Sequence, residues 1–302
     1  MLNLYPALRF GDMKKLLFFL AIIPCLSCNR NSPETGGRII TVSIAPYSYF
    51  VKEIAGNDFK VNIMVPPGSN PHIYEPYPGQ INRLRQSVAY ISNGYLGFEM
   101  TWLDRFYEIN KTMKRLSLGD KIDLIASSDK HEGGYSEGAD PHYWVSPACA
   151  LAMAAEVKDL LCQINPSDSQ RYQSNCDSLL IKIKATEARA KSLFAGFSGE
   201  PFMIYHPNLA YLARDYGLKE IAVEFEGKEP PPSRLKELID FATENNLKTI
   251  FIQKEYDSKN AREIAREIGG QVVTIDPLSE NWLKSTNDMI DALYYSFTRR
   301  NK

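Results

Sequence analysis

Histidine is scarce in this 302-residue chain, and three of its four histidines stand where a turn of the backbone would present them. His72 lies in the segment PPGSNPHIYEP, and His142 lies in DPHYWVSP. His206 directly follows a short apolar run, and Asp276 directly follows another. Neutral imidazoles and carboxylates are ligands that Zn²⁺ binds in tetrahedral sites, so these four residues form a candidate metal-binding set.

The spacing of this set divides it between the two halves of the chain. The three successive separations are 70, 64 and 70 residues. In open α/β sheets, ligands bind beyond the carboxyl ends of strands, and a set drawn from both halves closes only in a cleft between two lobes. A histidine after a strand is more often an ordinary surface or capping residue, and the spacing alone leaves both interpretations open.

Short β-branched runs alternate with helical stretches in both halves, which predicts βαβ units and mainly parallel sheets. The predicted strands cover residues 39–44, 59–65, 88–92, 115–118, 201–205, 219–223, 249–252 and 271–275. The predicted helices cover residues 47–55, 79–86, 98–108, 147–163, 208–216, 233–244, 258–268 and 285–298. We expect Ser233 to be the N-cap of its helix, and residues 124–140 to form a polar, glycine-rich surface loop.

One further helix is expected to be unusually long, because residues 168–194 contain neither glycine nor proline and carry an apolar stripe. At 1.5 Å per residue this helix spans about 40 Å, which is too long for one small lobe. We therefore predict an α/β protein in which a rigid linking helix, residues 167–196, joins an N-terminal lobe, 39–166, to a C-terminal lobe, 197–302. Each lobe has a mainly parallel sheet, and the metal site is expected in the cleft between the lobes.

The N-terminal region has a short basic start, a brief apolar core and a cysteine at its end, which is typical of a secretory signal peptide. Its apolar run is too short for a permanent membrane span, which needs roughly 20 residues. The sequence LSC, which ends at Cys28, resembles a bacterial lipobox. It predicts a signal peptide of residues 1–27, a lipid on Cys28 and a polar tether, 28–38; a plain signal peptide with an incidental cysteine is the alternative. Residues 1–12 lack a secretory pattern, so Met13 is the expected start.

The composition is that of a globular protein, with 44% hydrophobic residues, 24% charged residues and a formal net charge of −1. No basic block occurs, so nucleic acid is not an expected partner. The sequence has only one notable apolar run, at its N-terminus, which excludes a polytopic membrane protein. Three internal cysteines remain after the signal peptide: Cys149, Cys162 and Cys176. No CxxC pair occurs, and Cys149 and Cys162 lie too far apart on one predicted helix to pair. We expect buried free thiols, with one disulfide as the alternative.

Four motifs along the chain resemble those of the metal-binding proteins of bacterial zinc and manganese ABC importers, the ZnuA/TroA-like family. They are PHIYEP at residues 71–76, DPHYW at 140–144, His206 with YLARDYGL at 211–218, and DPL at 276–278. The resemblance runs from about residue 39 to the C-terminus. It implies two Rossmann-like lobes, a rigid linking helix and one transition-metal ion in the cleft. The ligands that it implies are His72, His142, His206 and Asp276.

Departures from the family pattern bear on the metal. The family commonly has Asp where this chain has Asn70, and we expect Asn70 to shape the turn rather than to bind metal. Zinc-type members often carry a long loop rich in histidine and acids before the second ligand. Here that loop is short, and His131 is its one histidine. Two interpretations of His131 are open: an accessory role in metal capture, or a solvated loop residue without such a role. Manganese-selective members have a carboxylate at the third position, so His206 favours zinc, with manganese as the alternative.

The expected function is capture of Zn²⁺ outside the cytoplasmic membrane and its delivery to the permease of an ABC importer, by an exported, lipid-anchored monomer. An enzyme is not expected, because four protein ligands close the metal site and the chain has neither an HExxH nor a GxSxG motif. A secreted zinc hydrolase is one competing class. A surface adhesin is the other, and nothing in the sequence excludes a second, adhesive role.

Overall fold

The computed structural model describes residues 37–126, 138–224, 230–256 and 259–300. In that part of the chain, no helix combines the length and the apolar character that crossing a membrane requires. The predicted signal peptide, Cys28, the tether up to residue 36 and His131 lie outside the described residues, so the expectations about them stay predictions.

The described strands form two four-stranded sheets in which every pair of neighbouring strands is parallel. The first sheet has the order β2-β1-β3-β4 and comprises β1 (Ile39–Ile44), β2 (Lys60–Val65), β3 (Ser87–Ser92) and β4 (Lys114–Ser117). The second has the order β6-β5-β7-β8 and comprises β5 (Pro201–Ile204), β6 (Lys219–Ala222), β7 (Thr249–Gln253) and β8 (Gln271–Ile275). The predicted pair of α/β lobes with parallel sheets is confirmed.

Both sheets have the same topology, and this topology determines where a ligand site can lie. The chain passes from β1 to β2 on one side and then crosses to β3 on the other, and β5, β6 and β7 repeat the pattern. Such a change in winding direction opens a crevice beyond the carboxyl ends of the two central strands, where ligands bind in open α/β sheets. All six residues of β1 are buried, as is typical of a parallel strand covered on both faces.

Helices follow the strands in the predicted order. They are α1 (Ala45–Ala55), α2 (Pro78–Arg85), α3 (Gly97–Ile109), α4 (Pro147–Ile164), α5 (Ser169–Phe194), α6 (Ala210–Tyr216), α7 (Pro232–Glu244), α8 (Lys259–Glu267) and α9 (Trp282–Thr298). The expectation that Ser233 caps α7 is wrong, because Pro231 occupies the N-cap. The fixed backbone angle of the next proline suits the first helical position, so the helix starts one residue earlier.

Helix α9 also starts earlier than predicted, at Trp282 instead of residue 285. The side chain of Asn281 accepts a hydrogen bond from the backbone N–H of Lys284 (3.2 Å) and so caps the additional turn. This turn brings the indole of Trp282 against Phe50 of α1, with 5.3 Å between the ring centroids. The last helix of the chain thus packs on the N-terminal lobe.

Helix α5 is the predicted long helix, and its 26 residues span about 39 Å. It packs on α1 and α4 towards its N-terminus, where the side chain of Asn175 donates to the carbonyl of Ile54 (2.8 Å). Towards its C-terminus it packs on α9, where Asn287 donates to the hydroxyl of Thr186 (3.2 Å). One helix therefore contacts elements of both lobes.

A single hydrophobic core runs from Ile40 in β1 through Leu179 in α5 to Phe297 in α9. A smaller cluster around Ile250 packs the second sheet against α7 and α8. The three internal cysteines are free thiols, as predicted, although only Cys149 and Cys176 are buried and Cys162 is partly exposed.

Candidate metal centre

His72 stands on the loop between β2 and α2, and contacts with the backbone fix this loop. Oδ1 of Asn70 accepts a hydrogen bond from the backbone N–H of His72 (2.8 Å), so Asn70 shapes the turn as expected. The backbone N–H of Phe98, in the first turn of α3, donates to the carbonyl of Pro71 (3.2 Å). A Cβ at Gly97 would overlap the carbonyl oxygen of His72 and lie 3.2 Å from its Cα, so the loop requires glycine at the start of α3.

His142 begins a short 3₁₀ helix, His142–Val145, directly before α4. Oδ1 of Asp140 accepts hydrogen bonds from the backbone N–H of His142 (2.8 Å) and from its Nδ1 (2.8 Å). The second of these bonds places the proton on Nδ1 and leaves the lone pair of Nε2 for a metal. The side chain of Asn93, just after β3, donates to the carbonyl of Pro141 (2.9 Å) and so ties the turn to the first sheet.

A buried carboxylate supports this arrangement from the interior. Glu99, in the first turn of α3, accepts hydrogen bonds from the backbone N–H of Asn93 (2.7 Å) and from the hydroxyl of Ser43. Burial raises the pKa of Glu99, and the hydrogen bonds oppose this rise. Because Gly97 contacts the loop of His72 while Glu99 holds Asn93, the first turn of α3 positions both histidines of the N-terminal lobe.

His206 follows β5 and is held by side chains that follow β6 and end β7. The carboxylate of Glu224 accepts a hydrogen bond from Nδ1 of His206, which again leaves Nε2 for a metal. Ile204 pairs with Ala222 in the sheet, so the residues two positions further on are neighbours. The side chain of Gln253 donates to the carbonyl of His206 (2.6 Å). Burial lowers the pKa of His206, although the hydrogen bond to Glu224 opposes this, so the imidazole is in the neutral form that binds metal.

The three imidazoles converge on one point between the lobes. Nε2 of His206 lies 3.2 Å from Nε2 of His72 and 3.4 Å from Nε2 of His142. With Zn–N bonds of about 2.0–2.1 Å and tetrahedral angles, the ligand nitrogens of a zinc site stand about 3.3–3.4 Å apart. The observed distances match two edges of such a tetrahedron, so the residues fit a zinc ion. His142 and His206 are buried, whereas His72 is partly exposed.

Asp276, the predicted carboxylate ligand, is not in this group of converging ligand atoms, which lie within 4.8 Å of one another. Its Oδ2 lies 2.6 Å from Nζ of Lys254. Gln253 and Ile275 are paired at the ends of β7 and β8, so the next residues, Lys254 and Asp276, stand side by side. The structure thus brings the three predicted histidines together and places Asp276 in an ion pair, and its role as a ligand stays a prediction.

A small cavity opens beside the imidazoles and is lined from both lobes. Pro71 and Trp144 line it on the N-terminal side, and Asn208, Glu255 and Tyr256 are among the residues on the C-terminal side. The ring of Tyr256 stacks on that of His206, with 4.7 Å between the centroids. Both lobes therefore enclose the space in which an ion would be bound.

Three carboxylates near the site were not among the predicted site residues: Asp140, Glu224 and Glu255. The position of Asp140 two residues before His142 was a visible signal, because an Asp side chain readily bonds to the backbone N–H two residues on. Glu224 and Glu255 have no such local signal, since strand pairing in the second sheet brings them to the site.

Helix α6, which follows His206, joins the lobes at the site. The hydroxyl of Tyr211 donates to the carbonyl of Asp140 (2.6 Å), and the hydroxyl of Ser146 donates to the carboxylate of Asp215. Both helix residues belong to the YLARDYGL motif. This motif thus holds the loop of the second histidine from the opposite lobe.

Sequence and structure comparisons agree on one family. The profile of the family described as "ZnuA: Zinc-uptake complex component A periplasmic" matches residues 40–301. A crystal structure of ZnuA superposes with a TM-score of 0.80 at 32% sequence identity, and the match covers 86% of this chain and 99% of that one.

Curated relatives at lower identity differ in the metal that their names give. The zinc-binding lipoprotein AdcA of Streptococcus pneumoniae is 24% identical over 281 residues, which are 88% of this chain and 56% of AdcA. The iron-binding protein YfeA of Yersinia pestis is 26% identical over 283 residues, which are 91% of this chain and 89% of YfeA. The chain thus spans little more than half the length of AdcA, but most of the length of YfeA.

Proposed function

This chain belongs to the ZnuA family of periplasmic zinc-uptake components, and from that premise we propose that it captures Zn²⁺ outside the cytoplasmic membrane and delivers it to the permease of an ABC importer. The observation that carries the proposal is the convergence of three Nε2 atoms at distances that suit a tetrahedral ion. The ion is cargo in this proposal, held reversibly between the lobes.

His72, His142 and His206 are the proposed protein ligands, and the carboxylate of Asp276, which the sequence predicted as the fourth, is paired with Lys254 in the structure. The carboxylates of Asp140 and Glu224 accept the Nδ1 protons of two of the imidazoles. Hydrogen bonds of this kind fix the orientation of a ligand ring and raise its basicity, so they increase metal affinity. Because the histidines come from both lobes, the ion adds a link between the two halves of the molecule.

We propose a carrier and not an enzyme. The carboxylates of Asp140 and Glu224 accept hydrogen bonds from imidazole Nδ1 atoms, and such contacts support metal binding by the rings. Membership of the ZnuA family and the names of AdcA and YfeA as metal-binding proteins support the same choice.

Zinc is the proposed ion, and manganese or iron is the alternative. Three nitrogen ligands suit zinc better than manganese, and the Irving–Williams order also places zinc above manganese. The relatives differ on this point, since AdcA is named for zinc and YfeA for iron. The proposal also places the protein on the outer side of the membrane as a monomer, anchored through a lipid on Cys28 and not bound to nucleic acid.

Elemental analysis of the protein purified without added metal, followed by titration with zinc and manganese in one buffer, tests this function. The expected result is one zinc per chain with sub-micromolar affinity and no hydrolysis in a peptidase and esterase screen. His206→Ala is the matched control, because it removes one ligand from the set. Two outcomes would contradict the proposal: wild-type protein that binds neither ion, or a His206→Ala variant that binds zinc as tightly as wild type.

A further inference from the structure

Two carboxylates stand next to Lys254 at the edge of the metal cavity, and their electrostatic surroundings differ. Oδ2 of Asp276 lies 2.6 Å from Nζ of Lys254, so this carboxylate already has a cationic partner. Glu255 lines the cavity together with the three imidazoles. It forms no ion pair with any residue in the described part of the chain, so its charge is available to a cation that enters.

The C-terminal wall of the cavity also carries three buried oxygen atoms that have no hydrogen-bond partner among the described residues. They are Oε1 of Glu255, Oε1 of Gln253 and Oδ1 of Asn208. Gln253 is 1% exposed and Asn208 is 3% exposed, so ordinary solvation does not satisfy their amides. Buried acceptors are nearly always paired in native proteins, so three of them on one wall indicate that ordered water or a ligand supplies hydrogen-bond donors there.

The amide of Gln253 is oriented by the protein itself. Its nitrogen donates to the carbonyl of His206 (2.6 Å), which leaves Oε1 as the unpaired acceptor. The hydrogen bond from its nitrogen therefore fixes the amide so that Oε1 is the acceptor left for another partner.

The distance between Glu255 and the imidazoles determines whether this carboxylate can bind the ion directly. Two ligand atoms that each stand about 2.1 Å from one ion are at most about 4.2 Å apart. Glu255 does not belong to the group whose ligand atoms lie within 4.8 Å of one another, so it stands beyond direct bonding to an ion held by the three histidines. Water bound to that ion would supply a hydrogen-bond donor between the ion and Glu255.

We propose that Glu255 is the carboxylate that the cavity presents to the captured ion, and that it accepts a hydrogen bond from water bound to the ion. Gln253 and Asn208 contribute the remaining acceptors of the same wall. Asp276 keeps its ion pair with Lys254. This inference rests on the proposed metal-binding function and names the residue that sets the affinity of its site.

The test compares two substitutions that remove one negative charge each and conserve shape: Glu255→Gln and Asp276→Asn. Zinc dissociation constants are measured on the full chain by competition with a chelator at pH 7.5. Hydrogen-bonding partners of metal sites typically change affinity by about 10–100-fold when they are altered. We expect Glu255→Gln to weaken zinc binding at least about tenfold and Asp276→Asn to change it less than about threefold.

The visible spectrum of the Co²⁺-loaded protein gives a second readout, because ligand geometry is reflected in it. Its bands should shift in Glu255→Gln and stay unchanged in Asp276→Asn. Glu255→Asp, which keeps the charge, should retain more affinity than Glu255→Gln, and the melting temperature of each apo variant checks its folding. Two outcomes overturn the inference. In the first, Asp276→Asn loses as much zinc affinity as Glu255→Gln or more; in the second, both variants bind zinc as tightly as wild type. If wild-type protein binds no metal, the proposed function itself fails.

Discussion

Trp282 donates a hydrogen bond from its indole nitrogen to the backbone carbonyl of Trp144 (2.6 Å), two residues after the second histidine of the site. The indole nitrogen of Trp144 in turn donates to the carbonyl of Pro277 (2.9 Å), directly after Asp276. The two indoles thus join the lobes at the loops that carry the predicted site residues. These hydrogen bonds tie the loop of His142 to the loop of Asp276 across the two lobes.

Trp282→Phe tests this junction. The ring remains apolar, but the buried carbonyl of Trp144 loses its donor, which costs about 1–3 kcal/mol of unfolding free energy. We expect a lower melting temperature of the apo protein and weaker zinc binding. Trp102→Phe is the control, because Trp102 donates no hydrogen bond to a described residue and lies partly exposed in α3. Equal effects of the two substitutions would show that the hydrogen bond does not hold the lobes.

Gly97→Ala tests the support that α3 gives to His72. The added Cβ would overlap the carbonyl oxygen of His72, so the loop must move away from the site. Ligand positions must be held within about 0.5 Å, so we expect zinc affinity to fall about tenfold. The matched control is Gly196→Ala, where a Cβ would meet no atom within 4 Å. Unchanged affinity in Gly97→Ala would show that the loop adapts without displacing the imidazole.

Zinc affinity should depend on pH in a way that the buried imidazole of His206 predicts. Burial lowers the pKa of His206 from its ordinary value of 6.5, so its proton competes with zinc only below that pH. We expect little change in the dissociation constant from pH 7.5 to 6.5 and a steep loss of affinity below about pH 6, because protons compete with the ion at three imidazoles. Chelator competition across this range measures it, and a flat profile down to pH 5.5 would contradict a three-histidine site.

The stability of the apo protein should fall with rising pH because of the buried carboxyl group of Glu220. Burial raises the pKa of this carboxyl group to about 8, although the backbone N–H of Leu209 opposes the rise. Between the ordinary carboxyl pKa of 4.5 and about 8, the folded state keeps a proton that the unfolded state has released, so rising pH lowers stability. Glu220→Gln removes this dependence. Its melting temperature relative to wild type should therefore rise from pH 5 to pH 8.5, and a constant difference would argue against the raised pKa.

Selectivity between zinc and manganese should respond to the third ligand. His206→Glu replaces nitrogen by oxygen, which favours manganese relative to zinc. The new carboxylate would meet that of Glu224, which now accepts the Nδ1 proton of His206, so Glu224→Gln is added to remove the repulsion. We expect the ratio of the manganese and zinc dissociation constants to fall at least roughly tenfold in the double variant, whereas Glu224→Gln alone should alter the ratio less. An unchanged ratio in the double variant would place selectivity elsewhere.

The sequence predicted the elements well because their signals are local. Proline and glycine mark the ends of strands and helices, and the absence of both from α5 revealed its length. The histidines stood out because proline-marked turns present them. The prediction for Asp276, which stays untested, rested on a rule of a different kind. The rule that ligands follow strands does not consider which residues the neighbouring strand brings close. Here the pairing of Gln253 with Ile275 brings Lys254 beside Asp276.

The continuous core described above has a consequence for how this molecule melts. Apolar side chains of β1, α5 and α9 belong to one cluster, so neither sheet can lose its packing while the other keeps all of its own. Helix α5 shares its buried face between the two halves and cannot stay folded on one half alone without exposing part of that face. We therefore expect the two lobes to unfold together, and a scanning calorimeter to record one heat-absorption peak for the apo protein.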